Sequence, residues 1–313
     1  MIDAGSLLAE PVTRMTVRTR NRLIAFSILA APFVFLICLL LFWNAEPLPP
    51  VPPLPNPNGY DDLVKAGQMI TDKVGDFDKM NEEELRSLVT TNLKAIRLAR
   101  TGLQQHCLVT LNYSPTSADI LVKHSALLHL AQAFATEGRL AEMENRVNDA
   151  IESDLDLVRL SNESARGGVV IDQLVGTAIE AIGVEQLQRL VGQLDIKSCR
   201  EATAMLETLD SQKQTWNQVM QHERDWSRRA FPGLRNELTR ILSRRAIQKA
   251  NQDSERAFMK HELTARQLII DFAARAYELD KGHPPASVND LVPDYLKAIP
   301  QDPLTGTNMV YLP

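Results

Sequence analysis

Leu23–Trp43, LIAFSILAAPFVFLICLLLFW, runs for 21 residues without a charged side chain. At 1.5 Å per residue a helix of that length reaches about 31 Å, the thickness of a bilayer's hydrocarbon core. Backbone amides in lipid find partners only within their own segment, so the run is predicted to be a transmembrane helix in which Pro32 is a tolerated kink. Charge on the flanks gives its direction. Arg14, Arg18, Arg20 and Arg22 precede it, and the first basic residue after it is Lys65. The positive-inside rule then places residues 1–22 in the cytoplasm and the bulk of the chain outside. A cleaved signal peptide would have a shorter apolar core followed by a small-x-small site, and Phe42-Trp43-Asn44 is no such site. Trp43 stands where an interfacial aromatic is expected. The bilayer is therefore the first partner, through residues 23–43.

Beyond the span, residues 44–57 are a proline-rich linker: PLPPVPPLPNP, residues 47–57, has seven prolines in eleven positions. Such a segment favours polyproline II and acts as a semi-rigid spacer of about 34 Å. The remainder is rich in Ala, Leu, Glu, Gln and Arg, while aromatics make up only 5% of the chain, a composition that favours helix over sheet. A net charge of −5 gives no global signal for nucleic acid. Cys38 falls within the apolar run. Cys107 and Cys199 would lie in an oxidising compartment, where a disulfide is permitted and buried free thiols are the more ordinary arrangement.

The fold class predicted for residues 58–282 is all-α, a multi-helix bundle or tetratricopeptide-like domain. Asn81 and Glu84 form a capping box for a helix running to about Gln105. Ser114-Pro115 opens the next, which Gly138 is expected to end. A partner follows from Leu140 to about Ala165, closed by Gly167-Gly168. Val169–Val191 is apolar on more than one face and is predicted to be the most buried helix. Asp195–Arg229 is expected as one longer helix, broken by Pro232-Gly233. A last stripe, Phe258 to Leu279, ends at Gly282 and Pro284.

Leu130, Ala131, Phe134, Gly138, Val147 and Ala150 have the spacing of small and large packing residues in a tetratricopeptide hairpin, which this pair of helices resembles. No second copy stands at a 34-residue period. A helical hairpin within an irregular bundle is the simpler expectation. In residues 283–313, Ser287 and Asp290 would cap a short helix, Asp302-Pro303 a turn, and Gly306 would precede a strand at Met309–Leu312. Together with Tyr277 and Gly282, the positions Pro284, Leu291, Pro300, Asp302, Pro303, Gly306 and Tyr311 resemble the closing segment of major pseudopilins of bacterial type II secretion. Gly5 and Glu10 have the spacing of that family's processing site, but Pro11–Arg22 is polar where the family has apolar helix, and no calcium loop follows. The whole plan, an anchor, a helical region and a DP-x-x-G ending, is similar to bacterial envelope proteins of unknown role. The resemblance implies the cytoplasmic membrane, with the helical domain in the periplasm.

Catalytic signatures are not found. His261-Glu262 begins a zinc-protease motif, yet Ala265 stands where the second histidine belongs. His124 and His129 are five apart, a poor spacing for one metal on a helix face. His106, His222 and His283 add no ligand pattern, so no metal, cofactor or small-molecule substrate is assigned. Asp149, Glu152, Asp154 and Asp156 are expected to form a solvated face. Residues 222–249 carry a net charge of +5 and residues 60–84 a net −5; solvated helix faces are the default for both, and the extracytoplasmic location argues against nucleic acid. The chain is thus read as a non-enzymatic, membrane-tethered helical scaffold that receives a protein partner or self-associates. The alternative is a structural component of a pseudopilus-like secretion assembly.

Overall fold

A computed structural model of the chain describes residues 50–71, 77–114, 117–232 and 242–311, together with Pro32, Phe35 and Leu48. The chain forms two compact units, residues 1–51 and 52–313. In the first, Pro32 and Phe35 are helical. The remainder of the predicted span 23–43 lies outside the described residues. Among the described residues no helix is long and apolar enough to cross a membrane.

The second unit is all-helical. Its helices are α1 (Gly59–Gln68), α2 (Glu82–Leu103), α3 (Ser117–Met143), α4 (Val147–Ala165), α5 (Val170–Leu190), α6 (Ile196–Ser211), α7 (Trp216–Ala230) and α8 (Arg244–Lys281). Asn58 starts the first of these helices. Its side chain caps α1 by accepting from Tyr60 N–H (3.3 Å) and grips Leu108 through both backbone groups, N–H (3.0 Å) and carbonyl (2.9 Å). The capping box of Asn81 and Glu84 opens α2 as expected.

Two apolar clusters make the core. One joins Tyr60, Leu63, Ile96, Leu130, Phe134, Leu160 and Ile179, from α1 to α5. The other joins Val158, Leu187, Cys199, Leu206, Ile270, Phe272, Leu291 and Leu296, from α4, α5, α6, α8 and the C-terminal segment. The α4–α5 hairpin belongs to both. These two helices pack closely because Gly176 offers no side chain: a Cβ there would stand 2.8 Å from the Ser161 carbonyl oxygen.

Several expectations are corrected. Helix α4, not α5, is the more deeply buried, with 12 of its 19 residues buried against 10 of 21. Only Asn148, Asp149 and Glu152 of α4 are exposed, while Ile171 and Leu174 of α5 are exposed apolar side chains. Gly138 ends nothing. Helix α3 continues to Met143, and the reversal comes at Asn145, whose φ is +58°. The real constraint at Gly138 is Asp154, whose Oδ1 lies 2.5 Å from where a Cβ would be. The long helix expected at 195–229 is two, because Thr215 and Gln218 form a capping box that starts α7 afresh.

The C-terminal strand at Met309–Leu312 is likewise corrected. Among the described residues there is no strand, only a single antiparallel bridge between Gln301 and Asn308. Asp302 turns the chain by accepting from Leu304 N–H (2.7 Å) while its backbone pairs with Thr307 (2.8 Å) and Gly306 (2.8 Å). The middle of the segment is fixed to two helices. Lys297 N–H donates to Glu207 on α6 (2.8 Å) and Arg266 on α8 donates to the Gln301 carbonyl (2.7 Å). The Ser287–Asp290 cap forms as expected, over a short 3-10 turn at Val288–Leu291.

Candidate functional site

Helices α1, α3, α5 and α7, with the loop after α2, line a cavity of about 350 Å³ that opens to solvent. Its walls are largely apolar: Val109, Leu111, Ile120, Val169, Leu174 and the indole of Trp226. Polar groups gather at the N-terminus of α5. Asp172 reaches back to accept from Val169 N–H (2.9 Å), and Glu223 crosses from α7 to accept from Val170 N–H (3.0 Å). Two carboxylates thus sit against the positive end of one helix, where negative charge is favoured. His124 of α3 binds the other oxygen of Asp172 through Nε2 (2.8 Å), which fixes the imidazole. Burial and the nearby Asp172 carboxylate push the Glu223 carboxyl above its ordinary range. The same two causes, burial first, raise the Tyr60 hydroxyl. Trp226 is held in place by its indole N–H, which donates to the Asn112 carbonyl (2.9 Å). Lys123 donates to the Thr110 carbonyl (3.3 Å).

A His–Asp pair invites comparison with a hydrolase. Among the described residues lining the cavity there is no serine or cysteine, and the Thr110 hydroxyl donates to Asp61 (3.2 Å).

A second concave surface, a groove of about 900 Å³, runs between α4 and α6. Ile151, Leu155, Ala202 and Met205 contribute its apolar surface, and Glu152, Arg159, Asp195, Lys197 and Glu201 contribute charge. Arg159 spans it, with one guanidinium nitrogen 3.5 Å from the Met205 sulfur and another 3.4 Å from Asp156.

The residues singled out by sequence are distributed among structural roles. His261 faces Glu180 (3.3 Å), which also binds Lys213 (2.6 Å). Burial alone would raise the Glu180 carboxyl; Lys213 and His261 overcome it and hold it at about 2. Glu262 pairs with Arg266 (2.6 Å), and Arg266 with Asp210 (3.0 Å), completing an ionic centre where α5, the α6–α7 turn and α8 meet. The four acids of α4 do not make one solvated face, which corrects that expectation. Asp149 and Glu152 are exposed, but Asp154 and Asp156 are only 2% and 6% accessible. Asp156 receives Arg100 (2.8 Å), whose guanidinium also grips Glu137 (2.6 Å). His106 and His283 are exposed.

Cys107 and Cys199 are both free and buried, one in each apolar cluster. In the acidic stretch, Asp61 and Asp62 meet Thr110 and Gln105, Asp78 meets Arg189 (3.3 Å) and Glu82 meets Arg86 (2.5 Å). In the basic stretch, Arg229 lies over the Tyr113 ring (5.6 Å), Arg245 and Lys249 are exposed, and Arg235 and Arg240 fall outside the described residues.

Sequence reasoning did not find the cavity. Its polar groups come from residues 124, 172 and 223, too far apart for any local pattern. The one signal available was Asp172 three residues after Val169, a carboxylate in a helix's first turn. No family model, no curated protein and no solved structure matches the chain.

Proposed function

We propose that the chain is a membrane-tethered extracytoplasmic scaffold whose helical domain receives an amphipathic helix of a protein partner in the groove between α4 and α6. The groove itself is the observation that carries this. Leu155, one turn after the largely buried Ile151 on α4, and Met205 on α6 line it, apolar surface of the kind that a helix-in-groove contact requires. Four acids, Glu152, Asp156, Asp195 and Glu201, against Arg159 and Lys197 leave the lining two charges negative, so the partner helix is flanked by basic residues. The tether is Leu23–Trp43 in the cytoplasmic membrane of a bacterium, with the arginines at 14, 18, 20 and 22 on the cytoplasmic side and the domain in the periplasm.

Photo-crosslinking tests the reading. A photoreactive phenylalanine placed at Met205, in the protein within its native membrane, is expected to give a discrete adduct. The adduct should be absent when the same residue replaces Lys249 on α8, and lost when Leu155→Asp is added to a domain that still unfolds cooperatively. Equal adducts at both positions would overturn the groove as a docking surface. Protease added from the outer side should digest residues 58–311; protection there would overturn the orientation.

A further inference from the structure

We propose that the cavity between α1, α3, α5 and α7 binds a small organic cation, an amine carried on an apolar body. Volume comes first. About 350 Å³ lies within the range of small-molecule sites, which are mostly apolar with a few polar groups that fix orientation. Val109, Leu111, Ile120, Val169 and Leu174 supply surface that an aliphatic or aromatic group covers. This accounts for the body of the ligand.

The head follows from charge. Asp119, Asp172 and Glu223 line the cavity against Lys123 and His124. Lys123 is drawn to the Thr110 carbonyl (3.3 Å), and His124 is bound by Asp172 (2.8 Å). A carboxylate offers about four lone-pair positions. Glu223 gives one to Val170 N–H (3.0 Å), leaving capacity for a donor arriving from the cavity. An anion entering here would meet Asp172 and Glu223 together, at a helix N-terminus whose positive end those two carboxylates already neutralise. An ammonium instead lies between like charges and relieves their repulsion. The Trp226 indole, which also lines the cavity, adds a π-system that attracts a cation. A bare metal ion fits less well, because among the described residues no three His, Cys, Asp or Glu side chains are grouped to hold one.

This site is separate from the α4–α6 groove, and its test does not depend on a protein partner. The full-length chain in lipid nanodiscs is titrated at neutral pH with 2-phenylethylamine, with 3-phenylpropionate as the same shape of opposite charge, and with 3-phenylpropanol as a neutral control. Calorimetry is expected to show the amine binding about tenfold or more tighter than the carboxylate. Glu223→Gln keeps an acceptor for Val170 N–H and removes the charge. It should weaken the amine about tenfold and leave the alcohol unchanged. Ile120→Trp, which fills the cavity, should abolish binding of all three. Preference for the carboxylate, absence of saturable amine binding into the millimolar range, or unchanged amine affinity in Glu223→Gln would each overturn the proposal.

Discussion

Glu180 is the residue whose removal the structure most clearly prices. Its carboxyl is held at about 2 against an ordinary value of 4.5, in spite of full burial, because Lys213 and His261 stand against it. At about 1.4 kcal/mol per tenfold, that depression represents about 3 kcal/mol of folding free energy at neutral pH. The folded value lies below the unfolded one. The stabilisation is therefore complete above about pH 5 and fades as the pH falls through 4.5 toward 2. Urea unfolding followed by circular dichroism, on the parent, Glu180→Gln, Lys213→Met and the double variant Glu180→Leu/Lys213→Met, measures it. Each single change strands a charge or its partner in the interior and should cost about 3–5 kcal/mol. The double change removes both and should cost much less than the sum. Lowering the pH from 7 to 3 should cost the parent about 2 kcal/mol more than the double variant. Losses that simply add, or a Glu180→Gln cost under about 0.5 kcal/mol, would refute the view that these groups hold each other in place.

Two further predictions concern close packing and thiol burial. A Cβ on Gly67 would stand 2.1 Å from the Ala126 carbonyl oxygen, so Gly67→Ala must force α1 from α3 and should cost about 1–3 kcal/mol in urea unfolding, whereas Gly192→Ala, with nothing within 4 Å, should change stability by less than about 0.5 kcal/mol. Burial pushes the Cys107 thiol up to about 12 and Cys199 to about 11, so peptide mass spectrometry after iodoacetamide at pH 8 should find neither alkylated in the folded domain and both alkylated in urea.

Features legible in the sequence were those built within a few residues. Asn81 with Glu84 and Ser287 with Asp290 are caps in which donor and acceptor stand three apart, so the letters alone carry the geometry. Thr215 with Gln218 is the same device, and went unread because apolar spacing ran through it from α6 into α7. Gly138 misled for a different reason. Glycine serves both to stop a helix and to admit a neighbour, and here it admits Asp154. The buried acids of α4 were illegible because Asp156 owes its burial to Arg100, 56 residues earlier in the chain. Asp172 owes its role in the cavity to His124 and Glu223 in the same way, through contacts that only the folded chain brings together.

Because α4 and α5, with Ala141 of α3, contribute to both apolar clusters, the two clusters share one wall. Neither half keeps a complete interior when the other is lost: without α6, α8 and the C-terminal segment, Val158 and Leu187 face water, and without α1–α3 so do Leu160 and Ile179. The two halves are obliged to melt together. A ligand held beside α5 and a helix held against α4, the two contacts proposed above, would then both lean on that shared wall.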